Sequence, residues 1–225
     1  MGGLGNFYKG RYFMYNFRYV TKNEAAPVKK NLTLLINEVQ DLVRDCFTFQ
    51  FTFIGSASRN MITCDEDSNI GFDFDVNIEV NDDNEEYSAK ELRNILRDAI
   101  DRVAYKYGYD YAEDSTRVLT IKVKDTCHSR IIHSCDFCIV NNYGNNQQEY
   151  IRFNKVSQTY AWVEQGKGYY MLPEKIDFLK SNNLWSELKE HYLYKKNANK
   201  NPNKHSRTVF AEAINEMCQQ NGFYD

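Results

Sequence analysis

The chain has no apolar run long enough to cross a bilayer, no internal repeat and no excess of positive charge. A membrane span needs about 20 consecutive apolar residues, so no membrane partner is expected. The first thirty residues lack the continuous apolar core of a secretory signal, and the expected location is the cytoplasm. The six cysteines then belong to a reducing compartment, where disulfides are rare. A formal charge of −3 over 225 residues speaks against a broad nucleic-acid surface, which would be basic.

What is present is apolar and strongly aromatic. Hydrophobic residues make up 42%, with 17 tyrosines and 14 phenylalanines, which is enough to bury a core in one domain or two small lobes. The modest net charge hides an asymmetry. Residues 1–30 carry six Lys or Arg against the single acid Glu24, and Lys195–Arg207 contains no acid. The run YKGRYFMYNFRY at residues 8–19 has the basic-aromatic character that can grip a phosphate backbone and stack bases. More often such a stretch is a strand or clasp with a solvated charged face, and that is the expectation for it. Cys135 and Cys138, with Cys127, His128 and His133 nearby, have zinc-like spacing. On a strand, however, positions 135 and 138 point to opposite faces, which does not suit a tetrahedral site.

The elements follow from periodicity. A helical stripe runs from Val28 through Leu32, Leu35, Ile36, Val39 and Val43, with Pro27 at its expected first turn. Phe47, Phe49, Phe51 and Phe53 alternate with polar residues as a half-buried strand ending at Gly55-Ser56. A loop bearing Asp65, Glu66 and Asp67 leads to a strand over Phe72–Val80. Ser88 and Glu91 form a capping box ahead of a helix that stops near Gly108. Arg117–Lys124, Ser129–Val140 and a short Tyr150–Phe153 read as further strands, and the rest from about Lys155 as mostly helical.

Chemistry concentrates in two of these strands. Asp73 and Asp75 leave the same face of one, while Phe72, Phe74 and Val76 leave the other. Asp136 sits inside the later apolar strand RIIHSCDFCIV. Adjacent carboxylates repel unless a cation lies between them. Mg²⁺ is typically held by one or two carboxylates together with substrate phosphates. The pattern reads as a metal-dependent phosphoryl-transfer site.

A strand ending in Gly55-Ser56, an Asp-Phe-Asp on the next strand and a third aspartate on a later one together resemble the DNA polymerase β-type nucleotidyltransferase superfamily, over roughly residues 28–140. Gly55-Ser56-Ala57-Ser58-Arg59 is similar to the opening of minimal nucleotidyltransferases, with Asn60 where a glycine is usual. Sixteen residues separate Ser56 from Asp73. A long spacer of this kind also occurs in the branch containing oligoadenylate and cyclic dinucleotide synthases, whose motif Gly-Phe-Asp-Phe-Asp-Val resembles.

The resemblance implies an α+β fold, a mixed sheet flanked by helices with a small helical C-terminal lobe. The expected division is a catalytic lobe over 1–154, including an N-terminal arm over 1–26, and a helical lobe over 155–225. Gly55 and Ser56 would form the phosphate turn and Arg59 a phosphate contact. Asp73 and Asp75 would bind two Mg²⁺ ions (Mn²⁺ as the alternative), and Asp136 would complete the ion nearer the acceptor hydroxyl. Lys155 and Lys167 fall between the lobes, where a triphosphate-gripping lysine would be useful, and Tyr160, Trp162, Tyr169 and Tyr170 form an aromatic cluster that could stack a base. The expected reaction is transfer of a nucleoside monophosphate from an NTP, ATP first among them, to an acceptor hydroxyl with release of pyrophosphate. The acceptor is open between a small molecule, a protein side chain, an RNA end and a second nucleotide. Two alternatives stand beside it: a non-catalytic nucleotide-binding or interaction module, such as the neutralising partner of a toxin, and a cyclic or oligonucleotide second-messenger synthase.

Overall fold

A computed structural model describes residues 15–82, 85–144, 147–166 and 168–223. Lys167 and the first part of the basic-aromatic arm lie outside the described residues. In chain order the elements are β1 (Phe17–Tyr19), α1 (Lys22–Val43), β2 (Thr48–Ile54), α2 (Gly55–Ser58), β3 (Thr63–Asp65), β4 (Ile70–Asn81), α3 (Ala89–Ala104), β5 (Glu113–Asp114), β6 (Leu119–Asp125), β7 (Arg130–Tyr143), β8 (Gln147–Asn154), β9 (Thr159–Glu164), α4 (Leu172–Ser181), α5 (Trp185–Ala198) and α6 (Ser206–Gln220). They fall into two compact units. One comprises Tyr19–Cys64 and Ser68–Gly166; the other holds residues 15–18, Asp65–Asp67 and 168–223 among those described.

The larger unit is built on a seven-stranded mixed sheet of order β2-β4-β7-β6-β5, with β8 paired to β7 and to β9. β4 and β7 run parallel and the other neighbours antiparallel. One face is apolar. Phe74, Val76 and Ile78 of β4, Phe137 and Ile139 of β7, and Leu119 and Ile121 of β6 are buried with Leu32, Leu35, Ile36 and Val39 of α1 and Leu92, Leu96 and Ile100 of α3. Each such side chain contributes about 1.5–3 kcal/mol by leaving water. The strand alternation that makes this face apolar makes the other polar.

Local signals explain most boundaries. The Ser88–Glu91 capping box is formed, with bonds of 3.3 and 2.9 Å. Gly108, at φ 81°, closes the turn after α3 in the left-handed region open to glycine. α1 starts earlier than Pro27. Its N-cap is Thr21, which forms a second capping box with Glu24, so Pro27 is an interior residue and residues 22–26 of the expected arm are helical. β9 lies beyond residue 154, in a stretch expected to be helical; its Tyr160 stacks on Phe153 of β8 at 4.6 Å.

An arginine is fully buried in this unit. Arg93 of α3 bonds Asp114 through Nε and Nη2 (2.9 and 2.6 Å) and also donates to the carbonyls of Ser115, Val118 and Ile151. Tyr160 donates to the other Asp114 oxygen at 2.9 Å. These bonds tie α3 to the approach of β6 and to β8 and β9, and they satisfy a charge that would otherwise be costly to bury.

The smaller unit is helical. Leu179 of α4, Leu188 and Tyr192 of α5, and Val209, Phe210, Ile214 and Met217 of α6 are among its buried apolar residues. Phe17 is held by Asn197 through both backbone groups, at 2.6 and 3.0 Å, with Lys196 Nζ 3.8 Å from its ring centroid. Asp65 and Glu66, expected to decorate a loop, have partners here: Asp65 accepts from the Asn16 amide and Glu66 from Arg18.

Candidate functional site

The site begins with register. Pairing of β4 with β7 sets Asp75 directly opposite Asp136 and Asp73 opposite Ser134. Pairing of β6 with β7 sets Thr120 opposite Asp136 and Lys122 opposite Ser134. Paired residues project to the same face of a sheet. Asp73, Asp75, Asp136, Thr120 and Lys122 therefore share the polar face. Asp73 is exposed, and Asp75 and Asp136 are half-buried.

β2 brings the Gly-Ser turn to the same place. Ile54, its last residue, pairs with Asp75, and the chain enters the single helical turn of α2. Gly55 has φ 63°, and a Cβ built on it would lie 2.5 Å from Asp75 Oδ2. Glycine is required twice over, by conformation and by close approach. Ser58 Oγ donates to the Gly55 carbonyl at 2.9 Å, and the Ser56 carbonyl accepts from the amides of Arg59 and Met61. Asn60 has φ 54°. It replaces the usual glycine with the non-glycine residue type that tolerates the left-handed region best.

The carboxylates are electrostatically coupled. Burial, then the charges of Asp73 and Asp136, push Asp75 up to about 7, while Arg59 pulls it back. Burial chiefly, and also Asp73, raise Asp136; the Thr120 hydroxyl and Lys122 oppose this. Thr120 Oγ1 donates to Asp136 Oδ1 at 2.5 Å and so fixes that carboxyl group. Among the described residues no three His, Cys, Asp or Glu side chains are drawn together as a closed metal-ligand set. The three aspartates share a face and a field rather than a common centre. Their donor chemistry nevertheless fits a hard divalent cation: carboxylate oxygens only, mutually repelling, beside a glycine whose missing side chain leaves Asp75 room.

Gly55, Ser56, Arg59, Asp73, Asp75 and Asp136 are thus gathered where the end of β2 meets the middle of β4 and β7. Lys155 is not brought to them. It stands in the turn between β8 and β9, exposed, where its carbonyl accepts from Gln158. No contact with the carboxylates is found among the described residues. The expected aromatic cluster divides: Tyr160 and Trp162 belong to β9, whereas Tyr169, bonded to Thr208, and Tyr170 belong to the helical unit. Cys135 is buried on the apolar face and Cys138 lies on the other. Thr120 and Lys122 were not among the expected site residues. The alternation Leu119-Thr120-Ile121-Lys122 marks them as one polar face, but only the register reveals that they meet Asp136.

No protein-family model and no curated protein matches the chain. Solved structures do. Vibrio cholerae DncV cyclic AMP-GMP synthase in complex with the linear intermediate 5′ pppA(3′,5′)pG matches with a TM-score of 0.54 at 14% identity, over 88% of this chain and 54% of that one. The GTP-bound form of DncV matches at 0.53 and 14%, over 88% and 52%. The chain shares the fold of these structures, a mixed sheet flanked by helices. Bradyrhizobium diazoefficiens CdnG, a CD-NTase in complex with GTP, is also matched, at TM-score 0.48 and 13% identity, over 90% of this chain and 49% of that one. The chain spans about half the length of the solved structures it matches. The α+β architecture expected from sequence is the one found. None of the described helices is long and apolar enough to cross a membrane.

Proposed function

We propose that the chain is a nucleotidyltransferase that moves a nucleoside monophosphate from an NTP to an acceptor hydroxyl and releases pyrophosphate. The observation that carries this reading is the placement of Asp75 beside Asp136, and two residues from Asp73, next to Gly55 at the end of β2. It is supported by the fold, two solved examples of which bind GTP or a linear dinucleotide intermediate.

Asp73, Asp75 and Asp136 would hold Mg²⁺, which would offset triphosphate charge, stabilise the leaving pyrophosphate and acidify an acceptor hydroxyl. The chain's own groups prepare the site. Thr120 anchors one oxygen of Asp136 and leaves the other for a ligand or for a proton from the acceptor. Arg59 supplies positive charge next to Asp75, where a phosphate would bring negative charge. Gly55 lets the backbone lie against Asp75.

A second-messenger synthase, with a second nucleotide as acceptor, is the narrower form favoured by the likeness to DncV. The test is incubation of the full chain with α-labelled ATP, GTP, CTP or UTP and Mg²⁺, alone and in pairs. Pyrophosphate and a new labelled product are expected with the wild type and not with Asp75→Asn. A cyclic or linear dinucleotide would establish the synthase. Nucleotide binding without product from any pair, and with every class of acceptor supplied, would favour the non-catalytic module.

A further inference from the structure

β2 lies at one end of the sheet order, and among the described residues it has no strand on its outer side. Such edges are usually blunted with charge, proline or a bulge, because unpaired backbone groups recruit another strand. β2 carries none of these. From Phe47, the residue just ahead of β2, to Phe53 the chain reads Phe-Thr-Phe-Gln-Phe-Thr-Phe, without a charge or a proline, and the pairing of β2 with β4 is continuous from Thr48 to Ile54. Thr48, Gln50 and Thr52 are exposed. Among the described residues, Gln40 is the side chain that bonds this strand's backbone, donating to the Phe49 carbonyl at 2.9 Å.

The same seven residues form a palindrome centred on Gln50. A twofold axis makes residue i meet j while j meets i, so an isologous contact needs a self-complementary surface. Antiparallel pairing of two copies about Gln50 sets Phe47 opposite Phe53, Thr48 opposite Thr52, Phe49 opposite Phe51, and Gln50 opposite its own copy. These aromatic and Thr–Thr pairs are among those that favour antiparallel sheets. No like charges meet. A register shifted by one residue would set Phe49 against Thr52, Phe53 against Thr48 and Phe51 against Gln50, and lose the match.

We infer that the partner of this edge is a second copy of the chain, joined β2 to β2 in antiparallel register about Gln50. The two sheets become one, and both carboxylate groups lie on its polar face, since Gln50 shares that face with Ile54 and Asp75 in β2–β4 pairing.

The test is the oligomeric state of the full chain by sedimentation velocity over a micromolar concentration series. It would include Gln50→Lys, Gln50→Glu and their equimolar mixture, with circular dichroism to establish that the exposed substitutions leave the fold intact. The wild type is expected to dimerise. Each single variant should be monomeric, because like charges then face each other across the axis, and the mixture should recover the dimer as a heterodimer. A wild type that stays monomeric would overturn the inference, as when another segment of the chain covers the edge. Dimers that persist in Gln50→Lys, or dimers lost in both variants and not recovered on mixing, would also overturn it.

Discussion

Gly55 and Asp75 are packed so closely that a methyl group on the glycine would stand 2.5 Å from the carboxylate Oδ2. Gly55→Ala must either swing Asp75 away or move the turn, and it also forces alanine into φ 63°. Backbone strain of this kind costs about 1–3 kcal/mol. Urea unfolding should show a loss in that range, and nucleotide-induced stabilisation should fall with it.

Asp75 gives the protein a pH signature. Its folded pKa is raised from 3.8 to about 7, so between those values the folded state holds a proton that the unfolded state has released. Stability from this group is fully present below the unfolded value and is lost as pH rises through the folded one. In EDTA, Asp75→Asn should therefore melt higher than wild type near pH 8, with the difference shrinking toward about pH 4. With excess Mg²⁺ the wild type should recover near pH 8 and the variant should not. A melting difference that is flat with pH would mean that burial and the charges of Asp73 and Asp136 do not raise Asp75.

Gly71 makes a sharper demand than Gly55. A Cβ there would lie 1.8 Å from the Ile132 carbonyl oxygen of β7. Gly71→Ala should break the parallel pairing just ahead of Asp73 and destabilise by about 3 kcal/mol or more, well outside the usual range for surface changes. Gly166, with nothing within 4 Å of its Cβ position, is the control, and Gly166→Ala should stay within about 0.5 kcal/mol. Chemical denaturation of the pair measures both.

Arg93 should be the most costly polar residue to remove. Arg93→Met leaves Asp114 without its main partner and several buried carbonyls without their donor. Breaking a buried ion pair from one side costs about 3–5 kcal/mol. Arg93→Met/Asp114→Asn should regain part of that loss, because the stranded charge is gone; a double variant as unstable as the single one would contradict this.

Much of this was legible in sequence. Phe-Asp-Phe-Asp fixes which way Asp73 and Asp75 point, since a strand alternates. Ser88-x-x-Glu91 and Gly108 mark the ends of their helix by local chemistry. Thr21-x-x-Glu24 carries the same signal ahead of the proline at 27, and Thr21 is the residue that caps the helix. What escaped depends on partners distant in the chain. Tyr160 and Trp162 look like a base platform until β9 is seen against β8, where Tyr160 stacks on Phe153 and reaches Asp114. Thr120 meets Asp136, and Arg93 meets Asp114 of the short strand β5, only through pairings between segments distant in the chain, which leave no periodic trace. Lys155 stands in the hairpin turn of β8 and β9, a position that only the strand pairing reveals.

The most direct test of the account is thermal unfolding with ATP, GTP, CTP and UTP, each with and without Mg²⁺, on wild type and on Asp73→Asn/Asp75→Asn. A nucleotide at a hundred times its dissociation constant adds about 2.7 kcal/mol to stability. A Mg²⁺-dependent rise is expected with at least one nucleotide, and the double variant should lose it. No rise with any nucleotide, or a rise that the double variant keeps in full, would contradict the account.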